Sequence, residues 1–484
     1  MKLFSKDSSV TPSVNDAISV NATIHHLEKS GDPAHHDKLE AQHPIDPVVE
    51  KRVVRKSDMH VVPLVMALYL LAYLDRSNIG NARIAGMEED LELRTLMWKV
   101  VPPHIWGAFC VFGWGLVSTV QAGIHTWEAE MALRFFMGIS EAGHGPGILY
   151  LLSFFYLRHE LGLRIGFFLS AAPLASSFAG AVLFLVEGLP TVVMAVVAFF
   201  YLPDSPSKAR FLNEDEKRVA IARGVKQAGL ANRIGTINFK EIGQTFLDPK
   251  AWLTAFMYFS CNASFSSLPV FLPTILKEMG FTAVNAQGLT APPFFLSFLM
   301  TILTAWIADR TQQRGITVMI LSALGRIGYL MLACAKSTGA RYTAVFIAAS
   351  GIFPSIANIL PWVLSIDYIW QTTKASDTRR GAGIMILNLV AQCGPLLGTR
   401  LNPKKQGPYY VKGQSVCAAF MFFTTLLAFS LRMLLVWENK KLDCKYGTLA
   451  EQKTRSGGVD GVPGSKDSAE AGVENYGATY RYVL

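Results

Sequence analysis

The sequence predicts an all-α polytopic membrane protein of about eleven spans. Three observations carry that prediction: too little charge for a soluble surface, clustering of what charge there is, and a succession of apolar windows long enough to cross a bilayer. Of the 484 residues 51% are hydrophobic and only 17% charged, with a mean hydropathy of +0.30. Soluble domains carry about 25% charged residues, so an ordinary soluble enzyme is excluded. The stretches 1–60, 203–250 and 438–484 hold 46 of the 81 Asp, Glu, Lys and Arg residues, which leaves 35 for the other 329 positions.

A helix needs about 20 mostly apolar residues to cross the hydrocarbon core. The qualifying windows are 61–82, 105–123, 134–156, 165–185, 186–202, 251–275, 288–308, 316–335, 342–366, 382–399 and 413–436. The run 165–202 is too long for one helix, and Glu187-Gly188-Leu189-Pro190 supplies the turn that divides it. None of the windows shows the short apolar/polar alternation of a membrane barrel strand. Between the fifth and sixth windows, LNEDEKRVAIARGVKQ (212–227) reads as an exposed helix capped by Asn213, with acids in its first turn and bases later. The six cysteines show neither CxxC nor metal-ligand spacing, so neither a disulfide framework nor a zinc site is expected. The polar first 30 residues lack the apolar core of a cleaved leader.

Placement of Lys and Arg sets the orientation. Lys51, Arg52, Arg55 and Lys56 put the N-terminus on the cytoplasmic side. Arg158 with Arg164, Arg310 with Arg314, and Lys374 with Arg379 and Arg380 mark inside loops, against one exception at Lys404, Lys405 and Lys412. Parity then exposes a defect. Only three windows precede the inside loop 157–165, where an even number is required, and the missing crossing falls between Ile84 and Pro103. The expected organisation is a disordered cytoplasmic N-terminus (1–57), an incomplete N-terminal helix bundle (58–202), a cytoplasmic linker (203–250), a C-terminal helix bundle (251–437) and a disordered cytoplasmic tail (438–484).

An ionisable side chain at mid-bilayer costs at least about 2.5–3.5 kcal/mol, so each one asks for a reason. Asp75 and Arg76 interrupt the first span and are followed by Asn78 and Asn81. Asp75 and Asn78 share a helix face, whereas Arg76 points about 100° away. Arg134 and Glu141 lie two turns apart in the 134–156 span, beside Gly138, Gly143, Gly145 and Pro146-Gly147, which permit close packing and local unwinding. A carboxylate in low dielectric carries a proton near neutral pH, and a guanidinium grips an anion through paired hydrogen bonds. The competing reading is a set of structural ion pairs. Arg326 and Arg432, near span ends, read as snorkelling side chains. His25, His26, His35 and His36 in the polar head read as solvated, and the aromatic residues as lipid-facing or core. The sequence carries no phosphate-binding loop, HExxH or GxSxG motif. Intramembrane acid, base and amide groups without an engine point to secondary transport driven by an ion gradient.

These residues resemble a known family. YLDRSNIGNA (73–82) with GMEEDL (86–91), RFFMGISEAGHGPG (134–147), RHELGLR (158–164), ADRTQQRG (308–315), DTRRGAG (377–383) and LNLVAQCGPLLGT (387–399) are similar to segments of the fungal anion:cation symporters. These are the allantoate and nicotinate permease group of the major facilitator superfamily. The resemblance implies the major facilitator fold of two six-helix bundles around a midplane site, with the second span missing or truncated here. It implies proton-coupled import of a small organic anion such as nicotinate, allantoate or another vitamin or carboxylate, by alternating access. No cofactor beyond the proton gradient, no nucleic acid and no enzyme activity are implied; the expected setting is a monomer in the lipid bilayer of the plasma membrane. Carried over by position, Asp75 and Glu141 couple protons, and Arg76, Asn78, Asn81, Arg134, Asn388 and Gln392 bind substrate. Arg158, Glu160, Arg164, Asp309, Arg310, Arg314, Arg379 and Arg380 form the cytoplasmic gate. SIDYIWQTTKAS (365–376) is extra relative to the family pattern. The alternatives are a non-transporting membrane receptor or scaffold, and an inactive truncated transporter product.

Overall fold

The computed structural model describes residues 47–77, 103–121, 126–157, 160–182, 188–228, 243, 245–278, 288–366, 377–403, 406–407, 409–448, 451 and 481–484. Among them there are twelve α-helices and no strand. Before the linker lie α1 (Pro47–Ser77), α2 (Pro103–Gln121), α3 (Trp127–Phe155), α4 (Leu161–Val182) and α5 (Gly188–Tyr201). Within the linker is α6 (Glu214–Ala228). After it come α7 (Pro249–Glu278), α8 (Ala291–Thr311), α9 (Arg314–Cys334), α10 (Thr338–Ile366), α11 (Asp377–Gly398) and α12 (Val411–Tyr446). All but α6 overlap one of the apolar windows. Six are long and apolar enough to cross a membrane by length and composition, within Leu161–Phe178, Pro249–Leu276, Ala291–Thr311, Arg314–Cys334, Thr338–Ser365 and Val411–Tyr446. Ile105–Gln121, Pro190–Tyr201 and Met385–Gly398 are apolar but shorter.

The division of 165–202 holds: α4 ends at Val182 and α5 starts at Gly188, with Pro190 in the first turn, where its missing N–H costs nothing. At α6 the Glu216 carboxylate accepts the Asn213 N–H at 2.9 Å, one arm of a capping box.

Burial sorts the later helices into a centre and a rim. Within its apolar window α10 is 83% buried whereas α12 is 33% buried, so α10 forms the middle of the C-half. The outer face of α12 carries exposed Phe422, Leu426, Phe429, Met433 and Trp437 at three- and four-residue spacing, an apolar stripe suited to lipid. Glycines allow the closest approaches. Gly325 of α9 lies backbone to backbone with Gly351 of α10, and Gly394 and Gly398 set α11 against α7 at Phe259 and Ala263. In the N-half Gly113 of α2 meets Ser140 of α3, while Gly115 meets Thr191 and Val192 of α5.

Two boundaries differ from the sequence reading. The head expected to be disordered over 1–57 is helical from Pro47. Val53 and Val61 are buried in the main core, and Lys56 pairs with Glu216 of α6 at 2.7 Å. The apolar-window rule misses this extension because its exposed face is charged and its cover is the linker helix, not lipid. The tail expected to be disordered over 438–484 is helical to Tyr446, and Arg481–Leu484 packs back with Tyr482 buried. Positions 1–46, 84–102 (where parity misses a crossing) and 367–376 lie outside the described residues.

Candidate functional site

The far end of α1 shows two faces to two different sets of neighbours. Leu68 and Ala72 belong to a cluster with Cys110, Val111 and Trp114 of α2, Met137 of α3, and Ala195 and Ala198 of α5. Tyr73 instead packs with Ala172 and Ala175 of α4, and its ring meets Phe265 of α7 edge-on at 6.2 Å. Tyr69 lies 4.3 Å from Phe168 of α4. The row continues across the C-half, with Phe265 4.7 Å from Phe353 of α10 and Phe353 5.5 Å from Phe294 of α8. Aromatic residues read from sequence as lipid-facing or core thus include a row that bridges the two halves. Sequence carried no signal for it, because a buried aromatic looks the same wherever its partner sits.

Asp75 and Arg76 occupy the last turn of α1, and Arg134 and Glu141 lie within α3; their side chains, like those of Arg379 and Arg380 in the first turn of α11, are outside the described residues. Asn78, Asn81 and Arg158 are outside them altogether. On α11 Asn388 is half-buried and Gln392 exposed. The glycine-rich run 138–147 does not unwind: α3 is continuous from Trp127 to Phe155.

Of the described residues expected at the gate, all but Arg310 fall into two networks. In the first, Asp309 at the end of α8 accepts the Leu163 N–H in the first turn of α4 at 2.6 Å and binds Arg314 of α9 at 2.7 Å. A carboxylate there meets free N–H groups and the positive end of the helix dipole. Arg314 is buried, and a Cβ at Gly162 would strike both Asp309 Oδ1 and Arg314 Nη2. One turn on, a Cβ at Gly166 would overlap Ala305 of α8. The halves therefore close on each other across a Gly-x-x-x-Gly face. Gly162 and Gly166 were missed in the sequence, although their spacing was the available signal.

In the second network Arg164 forks onto Asp58 of α1 at 2.9 and 2.7 Å and donates to the Glu160 carbonyl at 2.9 Å. Glu160 pairs with Arg223 of α6 at 2.7 Å, and Arg223 also pairs with Glu50 of α1 at 2.8 Å. Arg164 and Glu160 thus join α1, α4 and the linker helix instead of reaching Asp309, Arg310 or Arg314. Asp58, Glu50 and Arg223 were not singled out in the sequence, since ordinary charged residues 63 to 173 positions apart give no pattern. Arg310 is exposed and stacks over Trp306 of its own helix at 5.3 Å. Arg326 lies 4.4 Å over Phe422 of α12, and Arg432 donates to Gln313 at 3.0 Å, tying α12 to the α8–α9 turn.

Just ahead of α7 a buried carboxyl gives this face a pH dependence. Burial raises Asp248, the Lys250 N–H and ammonium oppose that, the Glu438 charge adds to it, and the net effect pushes Asp248 up to about 6. The folded chain then holds a proton between about pH 4 and 6 that the unfolded chain has released, so stability falls as pH rises through that window. Asp248→Asn should remove this fall and raise the unfolding midpoint at pH 7.5 by a few degrees, while changing little at pH 4.5. Thermal unfolding in detergent at the two pH values checks it; equal shifts at both would exclude the proton.

Among the described residues the fold is all-helical, and one carboxylate from beyond the linker, that of Asp309, caps a helix before it. The sequence pattern of the Major Facilitator Superfamily matches residues 102–399. The chain is 30% identical to the MFS transporter prlL of Fungal sp. (strain NRRL 50135), covering 87% of this chain and 92% of that one. It is 27% identical to the high-affinity nicotinic acid transporter of Saccharomyces cerevisiae, covering 81% and 79%. In structure it resembles the human organic anion transporter MFSD10, with a TM-score of 0.50 at 14% identity over 84% of this chain and 92% of that one. The chain belongs to the major facilitator superfamily and is an integral membrane protein of that transporter family.

Proposed function

We propose that the protein is a proton-coupled importer of a small organic anion, working by alternating access through a midplane site at the end of α1. The observation that carries the reading is the joint at Asp309: beside the core that the two halves share, hydrogen bonds and close glycine contacts hold α4 against α8 and α9 at the end where the linker lies. Such a joint can open and close as a unit. In this reading the linker face is cytoplasmic and about eleven helices span the membrane.

The helical repeat supports a division of labour between neighbouring positions. Position 76 comes one heptad after Tyr69 and three residues after Tyr73, on the face towards α4 and α7. Position 75 comes one heptad after Leu68 and three after Ala72, on the face towards α2, α3 and α5. Arg76 is therefore assigned to the substrate carboxylate; the resemblance, not the helical repeat, adds Asn78, Asn81, Arg134, Asn388 and Gln392 to the site. Asp75, with Glu141 on α3, is assigned to the proton. The aromatic row adds a stacking surface for a flat anion. The nicotinic acid transporter among the relatives supports a carboxylate of that shape.

Uptake of a panel of radiolabelled carboxylates into cells or proteoliposomes, at external pH 5 and 7, tests this. The wild-type chain should accumulate at least one of them faster at pH 5. Asp75→Asn should abolish the difference between the two pH values, and an unchanged ratio in that variant would remove Asp75 from the coupling.

A further inference from the structure

We infer that the ends of α7, α9, α10 and α12 form a binding site for an extended peptide, occupied by the chain's own Arg481–Leu484, and that this occupancy holds the Asp309–Arg314 joint closed. The site reads backbone first. The Asn439 carboxamide takes both polar groups of Tyr482, accepting its N–H at 2.8 Å and donating to its carbonyl at 3.0 Å. The Trp362 indole N–H donates to the Val483 carbonyl at 3.1 Å, and the Gly315 N–H to the Leu484 carbonyl at 3.2 Å. Three successive carbonyls thus find donors on α12, α10 and α9. The alternative for those donors is an unfilled bond, since Trp362 is fully buried and Gly315 is in the first turn of α9, where no helical acceptor exists.

Side chains then select the sequence. Arg481 bonds Asp443 at 2.6 Å and the Gly447 carbonyl at 2.7 Å. The Tyr482 ring is buried under Lys250, whose ammonium lies 5.0 Å from the ring centroid, 3.2 Å from the phenol oxygen and 2.6 Å from Glu438. Leu484 packs on the main core. The site thus fits a basic residue, then an aromatic, and an aliphatic residue two positions after the aromatic.

Its connection to the joint is one peptide bond long. Gly315 follows Arg314, the residue that grips Asp309, and the Trp362 ring lies against the Gly315 backbone, 2.9 Å from where a Cβ would sit. With the clasp seated, the first turn of α9 is held at its N–H and against an indole. With the clasp gone, that turn loses both its acceptor and the partner that fixes the indole. Arg314 is then free to release Asp309, and Asp309 the N-terminus of α4.

The test uses the chain in nanodiscs, with and without residues 481–484, and a fluorescent synthetic peptide of residues 475–484. The shortened chain should bind the peptide saturably. The full chain should bind it at least tenfold more weakly because its own segment competes, and Asn439→Leu in the shortened chain should cost at least tenfold. Amide exchange at Leu161–Arg164 should be faster in the shortened chain and return to the wild-type rate with peptide. Absence of saturable binding by a shortened chain that melts as the wild type does would overturn the site, and binding without any change in exchange would overturn its link to the joint. Should the shortened chain fail to fold, Tyr482→Cys in the full chain should resist alkylation and become at least tenfold more reactive when Asn439→Leu is added; equal reactivity would refute the clasp. None of these readouts requires transport, so the clasp stands or falls separately from the proton-coupled anion reading.

Discussion

Gly166→Leu should reduce uptake at least tenfold and leave the protein folded but opened at the linker face. A Cβ at that position already overlaps Ala305, and α4 and α8 have no slack there because Gly162, one turn earlier, is pressed against Asp309 and Arg314. Overpacking of a closed contact costs about 1–3 kcal/mol, and each 1.4 kcal/mol is a tenfold change in population. The cost falls only on the closed joint. The open arrangement, with α4 and α8 apart, accommodates the leucine freely, so the variant should shift the equilibrium between arrangements more than the unfolding midpoint. Amide exchange at Leu163 reports this directly, because its N–H is held by Asp309. Faster exchange with a near-normal melting curve is the expected pair of results. Wild-type exchange together with wild-type uptake would show that this joint does not move during transport.

Arg76→Gln should be nearly as damaging, through affinity. Hydrogen bonds to a charged group are worth about 1.5–3 kcal/mol each, so losing a paired set corresponds to about a hundredfold or more in the KM for uptake. Arg76→Lys should recover only part of this, since an ammonium keeps the charge but not the two-pronged geometry. Uptake kinetics across Arg, Lys and Gln check both steps. An unchanged KM in Arg76→Gln would move substrate recognition elsewhere on the aromatic row. The Lys variant separates loss of charge from loss of fit, which the Gln variant alone cannot do.

The spans were legible because their signal is local. Long, mostly apolar windows have few other homes, and the division of 165–202 was visible, although Gly188–Pro190, read as the turn, form the first turn of α5. The extension of α1 was not legible, because Lys51, Arg52, Arg55 and Lys56 read as cytoplasmic charge whether or not the chain there is helical. What makes it a helix is the cover supplied by α6, more than 150 residues later. The gate shows the same limit. Family position assigned Asp309, Arg314, Arg164 and Glu160 to one gate; the structure pairs Asp309 with Arg314, but Arg164 with Asp58 and Glu160 with Arg223. Long-range ion pairing depends on helix positions that one sequence does not reveal. The Gly162–Gly166 spacing was visible, but Gly-x-x-x-Gly also occurs in helices that bind nothing, and only Ala305 and Asp309 across the gap give it meaning.

Arg223 has a mechanical consequence. Its guanidinium reaches Glu50 near the start of α1 and Glu160 at the entrance to α4 while its own backbone belongs to the amphipathic rod between the bundles. Three stretches far apart along the chain are thereby riveted at one point. The rod is thereby tied to the first bundle at both of those helices.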